Sequence, residues 1–296
     1  MFTLTQLETF HRLARLRSFS KTANELGITQ PAVTRQIRIL EELFGVPLVE
    51  IVKRQARVTE AGQFLAERAE EILGNAAALR REMQDFAGGL QGVLEIGATV
   101  TIGTYSLPTM LARFQAHYPD VVLKVEVGTT ATMLQRLRSG RLGLALVEGT
   151  VAGSEFEVTK YHRDDLVLLV PARGHRFSTR NSIEPSELSD ETLILREEGS
   201  GTRTFIDRAF RYAGVQPKSI IGLQSAEAAA VAVEARLGIA ILSSLAAGQA
   251  VRGGRLREVA VESLNLSRWF QFVKLKNHKL SPCAQHFATL VQIEEP

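Results

Sequence analysis

Between Gln30 and Arg38 the chain places an amide, a hydroxyl and two guanidinium groups at helical spacing. Gln30, Thr34 and Arg38 stand four residues apart, with Pro31 and Arg35 beside them. At about 100° per residue these five share one arc of a helix. Val33, Ile37 and Leu40 fall within about 60° of one another on a separate arc. Amide, hydroxyl and guanidinium side chains read base edges in the DNA major groove, which is wide enough to admit a helix. An ordinary amphipathic helix with a solvated polar face carries the same pattern, so the surrounding chain has to decide. A second set of groups lies in two loops, Ala98-Thr99-Val100-Thr101-Ile102-Gly103 and Glu198-Gly199-Ser200-Gly201-Thr202-Arg203. Both offer hydroxyls and backbone N–H groups, and Arg203 adds a fixed positive charge. Brought face to face, they would clamp a small carboxylate or phosphate ester.

The elements that position the first set form helix-turn-helix grammar. Ser20 is the expected N-cap of a short helix that Gly27 ends in the left-handed conformation. Thr29 then caps the helix carrying Gln30, where Pro31 is tolerated in the first turn. Beyond Phe44-Gly45-Val46-Pro47-Leu48, the run Ile51–Thr59 reads as a hairpin with a basic tip. Its Lys53, Arg54 and Arg57 would lie on phosphates or enter the minor groove, adding affinity more than sequence choice. Ser20, Lys21 and Thr22 join the expected DNA contacts. From Thr59 to Phe86 there is no proline, and Leu65, Ala69, Ile72, Ala76, Leu79, Met83 and Phe86 form a heptad seam that wants a partner helix. Packing on the chain's own domain is the other use of that seam. Gly88-Gly89-Leu90-Gln91-Gly92 ends the helix in a joint.

The second set sits where strands and helices alternate, which implies α/β units with largely parallel sheets. Strands are expected at Val93–Ala98, Val121–Val127, Leu142–Val147, Leu166–Val170 and Thr192–Leu195, with helices up to about Tyr118 and over Thr132–Ser139. In such sheets, ligands bind outside the carboxyl ends of strands. Gly128 and Thr129 would then form a third wall of the cleft, with Glu148 at the end of its strand. Thr129, Thr130, Ser200 and Thr202 could equally cap helices, and Arg203 could pair with a nearby acid. Glu148 either meets a polar or cationic ligand group or holds a loop. Gln224-Ser225-Ala226-Glu227 opens another helix and lines the cleft or its hinge.

Composition bounds these readings. The 296 residues are 45% hydrophobic and 23% charged, a folded globular profile with room for two domains. Residues 1–60 hold nine Lys/Arg against six acids, while the other 236 residues balance at 26 each, so the net charge of +3 sits in the first fifth of the chain. A small basic module beside a neutral one suggests an anionic polymer as partner. The lone Cys283 forms no internal disulfide and reads as a small helix residue, and neither a secretory leader nor a membrane span is expected. A cytoplasmic location follows. There is no Walker lysine motif, Gly-x-Ser-x-Gly elbow or usual dinucleotide fingerprint, and the six histidines lack metal spacing. No cofactor, metal or catalytic residue is expected, which leaves an enzyme with an added DNA module as a minor alternative. A solute-binding module with a nonspecific basic end, or a partner-binding repressor with a vestigial cleft, are the others.

Three runs carry a resemblance to a known family: Phe19–Leu26, then Gln30–Ile37 with Leu40-Glu41, then Phe44–Leu48 with Val58–Gly62. In order and spacing they resemble the LysR-type transcriptional regulators. The sequence departs from that pattern at Ile51, where the family usually has a basic residue. A hydrophobic residue near this point resembles the branch that regulates carbon fixation and sulfur assimilation. The resemblance implies a winged helix-turn-helix over 1–58, a dimerisation helix over 59–88, and an effector-binding domain over 89–296 similar to periplasmic binding proteins. Its first subdomain would take about 89–163 and 267–296, its second about 164–266. Double-stranded DNA with an imperfect inverted repeat, a small anionic metabolite as effector, RNA polymerase, and a dimer or dimer of dimers are the partners so implied.

Overall fold

The computed structural model describes residues 1–52, 55–88 and 92–292. They fall into two compact units, Met1–Met83 with Arg138–Arg141, and Gln84–Leu137 with Leu142–Pro296.

The first unit contains α1 (Leu4–Leu16), α2 (Phe19–Leu26), α3 (Gln30–Phe44), the antiparallel pair β1 (Val49–Val52) and β2 (Gln55–Val58), and α4 (Glu60–Gly88), the last of which runs on into the second unit. The N-cap of α2 is Ser18 rather than Ser20, because Arg17 takes a left-handed φ of 52° and ends α1 just before it. Ser18 is extended and its Oγ accepts from the Lys21 N–H at 3.4 Å. Gly27, at φ 65°, ends α2, and Thr29 accepts from the Ala32 N–H at 3.3 Å to start α3. Val33, Ile37 and Leu40 are buried with Phe10, Leu13, Ala23, Leu48 and Ala56. Two polar contacts fix orientation around that core. Thr9 Oγ1 donates to Gln36 Oε1 at 2.6 Å, tying α1 to α3. The Glu41 carboxylate accepts from the N–H groups of Leu48 and Val49 at 2.8 and 3.2 Å, which fastens the hairpin to α3.

The second unit runs β3 (Val93–Thr99), α5 (Val100–Tyr105), α6 (Leu107–His117), β4 (Val122–Gly128), α7 (Thr130–Arg138), β5 (Leu144–Glu148), β6 (Phe156–Pro171), β7 (Ser182–Ile183), a 3₁₀ turn (Pro185–Asp190), β8 (Thr192–Arg196), α8 (Gly201–Ala213), β9 (Ser219–Leu223), α9 (Ala226–Glu234), β10 (Ile239–Ser243), α10 (Ser244–Arg252), β11 (Leu256–Val261), β12 (Ser267–Leu275) and α11 (Pro282–Gln292). The strand order is β4-β3-β5-β12-β6-β10-β8-β9, with β11 on β6 and β7. The pairs β3–β4, β3–β5, β8–β9 and β8–β10 are parallel. The expected predominance of parallel pairing fails in the middle, where β12 pairs antiparallel with β5 and β6, and β6 pairs antiparallel with β10 and β11.

Two subdomains result, joined through β6. Its residues 156–165 pair with β12, and its residues 166–171 pair with β10 and β11. Sequence alone marked only Leu166–Val170 as strand, because the earlier half is mostly polar and exposed. One apolar cluster lies under α6 and α11, with the Phe114 and Phe287 rings edge-on at 5.6 Å. Cys283 is buried in that cluster. Two further clusters line the other subdomain, one including Ile206 and Phe210 of α8 and one including Ala229 and Val233 of α9. The helix expected to run up to Tyr118 is broken at Ser106 into α5 and α6, with Pro108 in the first turn of the second.

Gly62 is where α4 meets the hairpin, and a Cβ there would lie 2.2 Å from the Leu48 carbonyl oxygen and 2.8 Å from Val58 Cγ1. Backbone on one side and a packed valine on the other leave no room to yield. Gly62→Ala is expected to lower the unfolding free energy by about 1–3 kcal/mol, the usual range for overpacking, and urea denaturation of the two proteins measures it.

Candidate nucleic-acid interface and ligand cleft

On α3 the packed arc and the free arc separate as the periodicity predicts. Gln30, Pro31, Thr34, Arg35 and Arg38 line one open depression of ≈ 630 Å³. Ser20 Oγ donates to Gln30 Oε1 at 3.0 Å, so the first turn of α2 orients the Gln30 amide. Lys21 and Arg57 are exposed. Thr22 is a correction: it is fully buried and its hydroxyl donates to the Ser18 carbonyl at 2.8 Å, which closes it to a DNA contact. Lys53 and Arg54 lie outside the described residues. Part of the basic excess is internal, because Arg12 is paired with Glu8 at 2.9 Å and Glu25 at 2.5 Å, and Arg15 also pairs with Glu25. Hydrogen bonding from Arg12 first, with Arg15 nearby, holds the Glu25 carboxyl below its ordinary range.

Along α4 the predicted seam divides. Leu65 is partly buried against the core of the first unit, and Ala69 is fully buried within the chain and so not open to a partner. Ile72, Leu79 and Met83 are exposed, and Ala76 is partly so. Phe86 lies on the helix, and its side chain is outside the described ones.

The predicted cleft residues converge where β3, β5 and the N-terminus of α8 meet β6 and β12. Thr99 is the N-cap of α5, yet its hydroxyl does not cap the helix: it donates to the Glu148 carboxylate, and the Glu148 N–H donates back to Thr99 Oγ1 at 3.3 Å. Val100 opens α5, and the Thr101 hydroxyl lies against the same carboxyl. Thr130 Oγ1 donates to the Glu148 carbonyl at 2.8 Å. Thr129, predicted for that wall, instead caps α7 by accepting from the Thr132 N–H at 3.2 Å, beyond Gly128 at the end of β4. Gly201 backs directly onto this point, since a Cβ there would lie 2.8 Å from the Glu148 carbonyl oxygen. Ser200, the N-cap of α8, is buried and makes no side-chain cap bond, so its hydroxyl and the first N–H groups of α8 are not spent on each other.

Arg203 does not supply the positive charge expected of it. Its Nε donates to both Asp207 oxygens at 2.9 and 3.0 Å, one helical turn on, and its Nη1 to the Arg196 carbonyl at 3.3 Å. Arg268 takes that place. It is 4% exposed, and its Nε donates to Asp164 Oδ2 at 2.7 Å and its Nη1 to Thr202 Oγ1 at 2.9 Å. Asp164 Oδ1 in turn accepts from Ser243 Oγ at 2.5 Å. Arg268 Nη2 is buried without a hydrogen-bond partner among the described residues, while the Tyr161 hydroxyl lies near Ser106 outside good hydrogen-bond geometry. Sequence reasoning missed Arg268, Asp164, Tyr161 and Ser243; an arginine just before Trp269 and Phe270, in a strand that goes on to Phe272 and Val273, was the available signal.

Burial dominates the electrostatics. It raises the Glu148 carboxyl above the ordinary range against the opposing pull of Arg268, and it raises the Tyr161 hydroxyl well above its usual value, with Glu148 adding to the shift. At the rim, Tyr105 of α5 donates its hydroxyl to Glu227 of α9 and so bridges the subdomains. That bond lowers the Glu227 carboxyl, while burial and then Glu227 raise the Tyr105 hydroxyl. The arrangement can accept a small oxyanion: the start of α8 has no side-chain cap, and Arg268, which reaches Thr202 in its first turn, has a further guanidinium nitrogen without a partner among the described residues.

Residues 4–63 match the family described as bacterial regulatory helix-turn-helix protein, lysR family, and residues 87–294 match the LysR substrate binding domain. A probable RuBisCO transcriptional regulator of Trichormus variabilis is 30% identical over 293 residues, 97% of this chain and 87% of the relative. The full-length regulator CbnR, solved with its target DNA, shares the fold at a TM-score of 0.74 and 22% identity, covering 99% of this chain and 100% of that one. The regulatory domain of Synechocystis CcmR, solved in complex with 2-PG, superposes at a TM-score of 0.63 and 22% identity, over 68% of this chain and 96% of that one.

Asp164 is the carboxylate that neutralises the buried guanidinium. Asp164→Ala is expected to cost about 3–5 kcal/mol of unfolding free energy, the penalty for stranding one half of a buried pair, read by chemical denaturation.

Proposed function

Because this chain belongs to the LysR family of bacterial transcriptional regulators, we propose that α3 reads its operator and that the cleft of the second unit senses a small organic anion. The chain is a DNA-binding regulator of transcription, and its relatives include regulators of carbon fixation. The reading of α3 rests on Gln30, Thr34 and Arg38 lining one open face, opposite a packed Val33, Ile37 and Leu40. Arg35 and Arg57 would sit on phosphates and set affinity. Two chains would pair through the exposed Ile72, Leu79 and Met83 of α4, which sets two α3 helices on successive turns of DNA and makes the operator an inverted repeat.

The observation that carries the cleft reading is the buried Arg268 with an unpaired Nη2 beside the uncapped start of α8. A carboxylate or phosphate oxygen supplies the missing acceptor. CcmR, whose fold this domain shares, holds 2-PG, and 2-phosphoglycolate is a suitable first probe. The cleft binds and releases its anion unchanged, as a sensor does. No described helix is long and apolar enough to cross a membrane, and a chain that works on bacterial DNA would act in the cytoplasm.

Gln30→Ala and Thr34→Ala are each expected to lose about 1–3 kcal/mol of discrimination between operator and scrambled DNA, measured by fluorescence anisotropy; equal losses on both DNAs would remove them as base readers. Arg268→Gln is expected to abolish the change in operator binding caused by 2-phosphoglycolate, and because it strands Asp164 the response is compared only at temperatures where circular dichroism shows the variant folded and operator binding without the anion persists. An undiminished response in that variant defeats the cleft assignment.

A further inference from the structure

Glu148, Asp164 and Arg268 bring two carboxylates and one guanidinium into a single buried cluster. Asp164 faces Arg268 directly at 2.7 Å. Glu148 is served by hydroxyls instead, with Thr99 donating to its carboxylate and Thr101 lying alongside. The charged and titratable groups facing it are Arg268 of β12 and Asp164 and Tyr161 of β6. From α7 comes the Thr130 hydroxyl, and from α8 the backbone of Gly201, both at its carbonyl oxygen. Withdrawal from water is the first cause that pushes the Glu148 carboxyl up; Arg268 opposes it, and the neighbouring Asp164 adds to it. An anion on Arg268 Nη2 would add a third negative charge where the dielectric screens little.

We propose that this cleft takes up its anion together with one proton from solvent, held on Glu148, so that the ligand enters as an acid in total charge. The inference rests on the reading of the cleft as an anion site. The only bond change is the proton transfer: an O–H bond of hydronium or of a buffer acid breaks, one forms on a Glu148 carboxyl oxygen, and the proton returns to solvent when the ligand leaves. The protonated carboxyl still accepts from Thr99 through its carbonyl oxygen and gains an O–H that can donate to the anion, where an ionised carboxylate would repel it. The sign follows from linkage. The bound anion makes ionised Glu148 less favourable, so affinity rises as pH falls through the window between the free and bound titrations, by at most about tenfold per pH unit for one proton.

Calorimetric titration of the full chain with sulfate, which keeps its charge throughout, and with 2-phosphoglycolate tests this. Each is run in two buffers of different ionisation enthalpy over a range of pH, which counts protons taken up per anion bound. The expected result with sulfate is a net uptake in the unaltered chain that vanishes in Glu148→Gln, whose affinity is flat with pH and exceeds that of the unaltered chain at the alkaline end. Binding of sulfate with no proton uptake at any pH, or the same uptake in Glu148→Gln, overturns the coupling and leaves the anion site standing. Binding of neither anion, or equal binding by Arg268→Gln, overturns the anion site and the coupling with it. If Glu148→Gln does not fold, the proton count on the unaltered chain decides alone.

Discussion

The second unit is organised around one buried ion pair, Arg268 with Asp164. The two residues stand directly opposite in the β6–β12 register, next to the point where β6 leaves one subdomain for the other. A charged pair without water is tolerable only when its remaining hydrogen-bonding capacity is met. Ser243 of β10 and Thr202 of α8 meet most of it, so the second subdomain is tied to the crossing by that requirement. One guanidinium nitrogen is left over. A structural pair and an unfilled donor thus share one side chain, the joint on which the proposed sensing rests.

Around that pair the subdomains approach at points of very different chemistry. Deep in the cleft, the Gly201 backbone abuts Glu148, a closeness that any side chain at 201 would prevent. At the rim, Tyr105 and Glu227 share a hydrogen bond that water can compete for. A close-packed contact resists small displacement while a partly exposed hydrogen bond exchanges at little cost. Ligand-dependent movement would therefore be read out at the rim and be anchored at the ion pair.

The DNA-reading unit distributes its charge by the opposite rule. Arg12 and Arg15 are paired with Glu8 and Glu25 between α1 and α2, which spends part of their charge within the unit. Arg35 and Arg38 remain on the α3 face. Glu41, on the same helix, is turned inward to hold the hairpin by two backbone N–H groups. Helix and hairpin thus share one rigid frame, which is what groove recognition by a helix with a flanking wing requires.

The first unit was largely legible in the sequence. Gly27, Thr29 and the Val33, Ile37, Leu40 stripe work within one or two helical turns, so propensity and periodicity suffice to place them. Ser18 displaced Ser20 as the cap only because Arg17 took a left-handed turn. The α/β alternation of the second unit was legible too, as were the loops after β3 and β8. The cleft's charge was not. Arg203 looked available, but Asp207 one turn away occupies it, whereas Arg268 reaches Asp164 across 104 residues and Thr202 across 66. The antiparallel passage of β6 and β12 that creates those meetings leaves no local periodic mark, since residues 156–165 are mostly polar and exposed. What a segment buries along its own helix is written in its spacing; which charges meet in the interior is decided by the pairing of distant strands.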